Sequence, residues 1–191
     1  MRMPLIPKAK CAMALTPLPD DKASRRALRD AIAALDLTMS TGQAWAIAEA
    51  RLGVSRCYRM LGALPMALAL LELGLQCAQG TDQRVELLVE RISVLAEHAE
   101  ALEAQGRGCG RNARDAAREH VFEAARLTAR VADPRFEVTV LLHLSDVLDR
   151  FGDRDDAVNL QTRALRLMSG PTAGAAPDPA LLPGLGRLAD A

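Results

Sequence analysis

The side chains of this chain that could do chemistry are four cysteines, three histidines and the arginines around one glycine-rich loop. The cysteines (Cys11, Cys57, Cys77 and Cys109) include no CxxC pair, and no histidines cluster beside them. His98, His120 and His143 fit no HExxH pattern. Zinc motifs need closer spacing than this. Cys57 and Cys77 fall inside apolar helical segments, where a buried free thiol is the ordinary state. We therefore expect free thiols, structural or surface histidines, no metal and no cofactor.

The loop at 106–112, with the sequence GRGCGRN, could present backbone amides to a phosphate group. However, no strand precedes it and no Lys-Ser or Lys-Thr pair follows, as nucleotide-binding loops require. The favoured alternative is charge pairing across a helical hairpin, between Glu97, Glu100 and Glu103 before the loop and Arg111, Arg114 and Arg118 after it. No Ser or Cys nucleophile lies beside a base, so we expect no enzyme activity.

Composition limits the partners of the chain. Its 191 residues suit one domain, and 24 basic residues balance 24 acidic ones. With no net charge, the chain has no global field that would attract nucleic acid or an anionic membrane. No apolar run approaches the roughly 20 residues of a membrane-spanning helix. The isolated cysteines favour a reducing, cytoplasmic location.

Three regions follow from the distribution of Pro, Gly and apolar residues. Prolines divide residues 1–20, which we interpret as a flexible arm in preference to an export signal. Residues 21–168 carry helical apolar periodicity and no lasting strand alternation. Residues 169–191 are rich in Gly, Pro and Ala, a composition that predicts a disordered tail. The middle region predicts an all-α fold of seven helices, at 22–39, 43–61, 66–79, 84–104, 113–131, 135–151 and 155–168.

Small residues recur at fixed places around three turn glycines, Gly62, Gly106 and Gly152. Seven residues before these glycines stand Ser55, Ala99 and Ser145. The helix after each turn carries two small residues seven positions apart, which lie on one face of the helix. These pairs are Ala67 and Gly74, Ala117 and Ala124, and Ala157 and Ala164. Because helices can cross closely only where side chains are small, the pattern predicts stacked helical hairpins.

This pattern resembles the tetratricopeptide repeat family, with the best matches in LGALPMALALLELGL and FGDRDDAVNLQTRALRL. The resemblance covers residues 43–168. The turn glycines are 44 and 46 residues apart, whereas the usual repeat has about 34. Such long repeats are similar to those of bacterial signalling and transcription regulators. The resemblance implies a right-handed superhelix of antiparallel hairpins, an α-solenoid.

The resemblance also implies a concave groove lined by the first helix of each hairpin, where a peptide or helix of a partner protein binds. Spacing from the turn glycines assigns to this groove Glu49, Leu52, Arg56, Arg59, Ala96, Glu100, Glu103, Leu142, Asp146, Asp149 and Arg150. The groove would be basic at one end and acidic at the other. The acids lie in the later units, and they favour a partner segment with positive charge. The alternative is that these are ordinary solvated helix faces. Glu100 and Glu103 also have a competing role in the hairpin pairing described above.

Three hypotheses about function follow. The first is a cytoplasmic adaptor that binds a peptide or helix of another protein. The second is a sensory or regulatory module of a bacterial signalling or transcription regulator that lacks its output domain. The third is a small-molecule or catalytic protein with an unusual site. A short solenoid leaves apolar ends uncovered, so a homodimer through a terminal helix is a further expectation.

Overall fold

A computed structural model describes residues 22–169, and in this part of the chain all regular structure is helical. The seven predicted helices are confirmed, with bounds shifted by a few residues. They are α1 (Lys22–Thr41), α2 (Ala44–Met60), α3 (Leu64–Cys77), α4 (Thr81–Ala104), α5 (Gly110–Thr128), α6 (Pro134–Phe151) and α7 (Arg154–Met168). The predicted arm at 1–20, Cys11 and the tail beyond Ser169 lie outside the described residues.

The three turn glycines end α2, α4 and α6 in the left-handed backbone region. Their φ angles are 71° at Gly62, 69° at Gly106 and 84° at Gly152. Glycine adopts this conformation without the steric cost that a Cβ atom brings. At Gly152 the turn is closed by the Asp153 N–H, which donates to the Leu148 carbonyl at 2.9 Å. The repeated glycines therefore mark equivalent hairpin turns, as the sequence predicts.

The six small residues after the turns are all buried, which confirms the prediction that helices cross there. Gly74 shows how close the crossing is, because a Cβ atom there would lie 2.8 Å from Cδ2 of Leu87 on α4. Ser55, Ala99 and Ser145 on the preceding helices are also fully buried. Small side chains thus let the paired helices approach while leucines fill the space around them.

Each helix packs against the next one along the chain, and in addition α2 packs against α4 and α4 against α6. The buried side chains form two clusters. One joins α2, α3 and α4, and the other joins α4, α5, α6 and α7. Because α4 belongs to both clusters, it connects the first hairpin to the last one. The even-numbered helices therefore form one layer of the fold.

The structure corrects the predicted start of α5. The loop that leads into it is shorter than 106–112, because the helix begins at Gly110 instead of Ala113. Gly110 is buried against the end of α4, where a Cβ atom would lie 2.9 Å from the Ala99 carbonyl oxygen. Glycine at this position serves the close approach of two helices. None of the helices among residues 22–169 is long and apolar enough to cross a membrane.

Candidate functional site

Ion pairs connect α2 to α4 on one side of the layer. Arg59 of α2 donates from Nε and Nη2 to one carboxylate oxygen of Glu97, at 2.9 and 2.7 Å. Its Nη1 donates to Glu90 at 3.1 Å. Arg56, one turn earlier, lies 3.5 Å from the other oxygen of Glu90. Two arginines of α2 are therefore neutralised by two glutamates of α4.

Burial shapes the electrostatics of these pairs. Glu90 is buried, yet both of its oxygens have a guanidinium partner. Burial by itself would lower the pKa of the Arg59 guanidinium, but hydrogen bonds to Glu97 and Glu90 outweigh this effect and the pKa is raised. Arg59 thus remains charged, and its ion pairs with Glu90 and Glu97 serve the packing of α2 on α4.

A second set of polar contacts connects α4 to α6. Ser93 Oγ lies 2.8 Å from Nε2 of His143, and Arg150 donates from Nη2 to Glu100 at 2.6 Å. Burial lowers the pKa of His143, and the charge of Arg59 lowers it further. The carboxylates of Asp146 and Glu90 act in the opposite direction. A neutral imidazole therefore lies between the charged pairs.

These contacts define what we call the even face, the surface that α2, α4 and α6 share. It carries three arginines and six carboxylates, namely Arg56, Arg59, Arg150, Glu49, Glu90, Glu97, Glu100, Asp146 and Asp149. Glu49, Asp146 and Asp149 are exposed, and none of the three has an ion-pair partner within residues 22–169. Met60 and Leu142 add exposed apolar surface. The even face therefore has an excess of negative charge beside two apolar side chains.

Two of the predicted groove residues do not lie on this surface. Leu52 and Ala96 are 0% exposed and belong to the two core clusters. Both stand ten residues before a turn glycine, and their clusters show that this position faces the next hairpin. The prediction that they contact a partner is wrong, because other helices of the domain already cover them. The other predicted residues are at least partly exposed.

Glu103, also predicted to line the groove, lies outside the even face. It pairs with Arg114 of α5 at 2.5 Å, and the Arg114 guanidinium packs over the Phe151 ring, 5.4 Å from its centroid. This pair confirms one part of the predicted pairing across the hairpin. The rest of that prediction is wrong, since Glu97 and Glu100 pair with α2 and α6, and Arg118 pairs with Asp153 at 2.6 Å.

Sequence reasoning missed Glu90, Ser93 and His143 as members of the even face and gave Glu97 another partner. A signal was present for the two glutamates, because Glu90 and Glu97 are seven residues apart and so lie on one side of α4. No comparable signal pairs Ser93 with His143, which are fifty residues apart. Their contact depends on how α4 and α6 cross.

The opposite side of α4 has an open cleft of about 450 Å³ between α3, α4 and α5. Its charged residues are paired, Arg84 with Glu123 at 2.8 Å and Arg91 with Glu72. His120 also lines it, with a pKa that burial and then Arg91 lower. No group of three metal-ligating side chains occurs within residues 22–169. The charge excess of the even face makes it the stronger candidate for a functional site.

Comparison with known proteins gives no match: no family model, curated protein or solved structure is significantly similar to the chain. What the structure defines is therefore the class, an all-α protein of seven helices within residues 22–169.

Proposed function

We propose that this protein is an interaction scaffold, a tetratricopeptide-like stack of helical hairpins whose even face binds a basic segment of a partner protein. The packing of the helices supports the stack. Helix α2 packs against α4 and α4 against α6, and each of the three also packs against the helix that follows it in the chain, with which it forms a hairpin. In such an architecture the shared face of the first helices is the natural place for an extended peptide or a helix.

The observation that carries the proposal is the difference between the paired and the unpaired charges of the even face. Its three arginines are occupied by glutamates of neighbouring helices. The exposed carboxylates of Glu49, Asp146 and Asp149 have no ion-pair partner within residues 22–169, so they can attract cations. Lysine or arginine side chains of a partner would complement them, and such complementarity raises both association rate and specificity. An acidic segment would meet the uncompensated carboxylates and be repelled.

The spacing on α6 suggests the form of the partner. Asp146 and Asp149 are one helical turn apart, and Leu142 lies one turn before Asp146 on the same side. A segment with two basic residues close together, followed or preceded by an apolar residue, would contact all three side chains. The apolar contact would add affinity that does not depend on salt.

Selection from a phage-displayed peptide library against the full chain tests the proposal. We expect enrichment of peptides rich in Lys and Arg, and a loss of at least about tenfold in affinity when Asp146→Lys is combined with Asp149→Lys. The matched control combines Asp36→Lys on α1 with Glu119→Lys on α5, which makes the same change in net charge at exposed positions elsewhere. Selection of peptides without basic residues, or unchanged binding after reversal on α6, would contradict the proposal.

A further inference from the structure

The last hairpin exposes positions that the earlier hairpins bury. Leu142 stands ten residues before its turn glycine, as Leu52 and Ala96 do. Those two are covered by the next even-numbered helix, whereas Leu142 is 40% exposed. At Leu142, the side of α6 that would receive a further helix therefore has no cover within residues 22–169.

The same difference appears on α7. Val158 and Leu165 each follow one of the small residues at the helix crossings, and they are 56% and 60% exposed. Their counterparts on α3, Leu68 and Leu75, pack against both buried clusters. The counterpart of Leu165 on α5, Ala125, is also buried. Positions that link neighbouring hairpins elsewhere in the fold are thus uncovered on α7.

These side chains form one surface. Val158 and Leu165 are two turns apart, and Met168, which is 65% exposed, follows three residues later on the same side of α7. Arg163 lies on the opposite side of the helix, where it donates to the Ala125 carbonyl of α5 at 3.0 Å. The exposed stripe therefore faces away from the rest of the fold. We call Val158, Leu165 and Met168 of α7 the end face.

We infer that residues 181–188 of this same chain, with the sequence LLPGLGRL, dock on the end face and cover it. Four leucines in this segment supply apolar side chains of the kind the end face lacks: Leu181, Leu182, Leu185 and Leu188. Burial of such side chains stabilises the contact through the hydrophobic effect.

The length of chain after α7 permits this docking. The helix ends at Met168, which is itself part of the end face. Twelve residues, 169–180, connect it to the first leucine, and they can span about 40 Å when extended. The ten-residue distance back along α7 from Met168 to Val158 is only about 15 Å. The segment can therefore turn back and lie along the helix that precedes it.

The tether is the reason to favour this segment over a second copy of the chain. A segment joined by a short linker has an effective concentration in the millimolar range. A second molecule at micromolar concentration would have to bind far more tightly to displace it. Uncovered ends of repeat stacks also impair solubility, so cover within the chain has a clear physical benefit.

Photocrosslinking of the full chain tests this inference. With p-benzoylphenylalanine in place of Leu165, we expect a crosslink within one molecule to residues 181–188, identified by mass spectrometry. The control carries the same group in place of Leu73, an exposed leucine of α3, and should not crosslink to that segment. A crosslinked product of doubled mass would show that a second copy covers the end face. That outcome, or no crosslink to 181–188, would overturn the inference.

A second measurement leaves residues 22–169 unaltered. Leu181→Ser, Leu185→Ser and Leu188→Ser together should increase binding of a hydrophobic fluorescent dye by the full chain and speed amide hydrogen exchange in α7 at least threefold. If neither quantity changes, the segment does not cover the end face. Because the even face is not involved, these results are independent of the peptide-binding proposal.

Discussion

Arg59 of α2 and Glu97 of α4 are thirty-eight residues apart in sequence, yet two nitrogens of the guanidinium donate to one oxygen of the carboxylate, at 2.9 and 2.7 Å. The pair lies beside the apolar contact of the same two helices, in which Leu52 is fully buried with Leu87 and Val94. The first hairpin is thus joined to α4 by an apolar contact and by charges that fix its register.

Replacing Arg59 with Met removes the cation and retains much of the side-chain volume. Glu97 and the buried Glu90 then lose a partner, so we expect the free energy of unfolding to fall by about 1–3 kcal/mol. Urea unfolding measures this change, and a double-mutant cycle with Glu97→Gln isolates the pair. Arg26→Met is the control, because Arg26 forms a surface pair with Asp30 at 3.9 Å and should cost less than about 0.5 kcal/mol. Equal losses in the two variants would show that the cross-helix pair is unimportant.

Two glycines of the same short segment should respond differently to alanine. Gly110→Ala would place a Cβ atom 2.6 Å from Cγ of Glu103 and 2.9 Å from the Ala99 carbonyl oxygen. Because one of these neighbours is backbone, we expect a loss of about 1–3 kcal/mol in unfolding free energy. Gly108→Ala has open space around it and should change stability by less than about 0.5 kcal/mol. Thermal and urea unfolding would contradict this account if the two variants lost equal stability.

Local pattern predicted most of the fold, because its causes are local. Helical periodicity and the left-handed turns at Gly62 and Gly152 act within one hairpin. The small residues repeat at the same spacing in each hairpin, so their pattern is visible in the sequence although Gly74 meets Leu87 of the next hairpin. The start of α5 was misplaced because the reason for Gly110 lies in α4, outside the segment itself.

The candidate site was predicted less completely, because it depends on contacts between hairpins. Spacing from the turn glycine placed Arg56, Asp146 and Asp149 on an exposed face, as the structure does. The same spacing placed Leu52 and Ala96 there too, although the next hairpin buries them. A position on a helix indicates a direction, but whether another element covers it follows only from the assembled fold. The partners of Glu97 and His143 were inaccessible for the same reason.

Acidification should destabilise the fold, in part through His143. Burial and then Arg59 hold its pKa below the ordinary value of 6.5. The unfolded chain therefore binds more protons than the folded one as the pH falls through 6.5 toward the folded pKa, and stability decreases over that window. Around the ring lie Ser93, Arg59, Arg150, Glu90 and Asp146.

The variant His143→Gln keeps a neutral hydrogen-bonding side chain and removes this titration. We expect it to reduce the difference in unfolding free energy between about pH 7.5 and about pH 5, without abolishing it. His98 and His120, whose pKa values are also lowered by burial, remain to contribute. Urea titrations at several pH values measure the slope. An identical pH dependence in the two proteins would mean that His143 does not contribute.

The Asp149 carboxylate should lower the free energy of unfolding and, at the same time, strengthen the binding of basic peptides. Its carboxylate lies in the last turn of α6, which ends at Phe151, and there the partial negative charge of the helix terminus disfavours it. Asp149→Asn should therefore raise the free energy of unfolding by about 0.3–1 kcal/mol, and it should weaken binding of basic peptides selected against the even face. Asp155→Asn is the matched control, because Asp155 lies in the favourable first turn of α7. That variant should lose a similar amount of stability and bind the peptides unchanged. Fluorescence anisotropy and urea unfolding on the same samples measure both quantities, and weaker binding by the Asp155 variant would count against the even face as the peptide site.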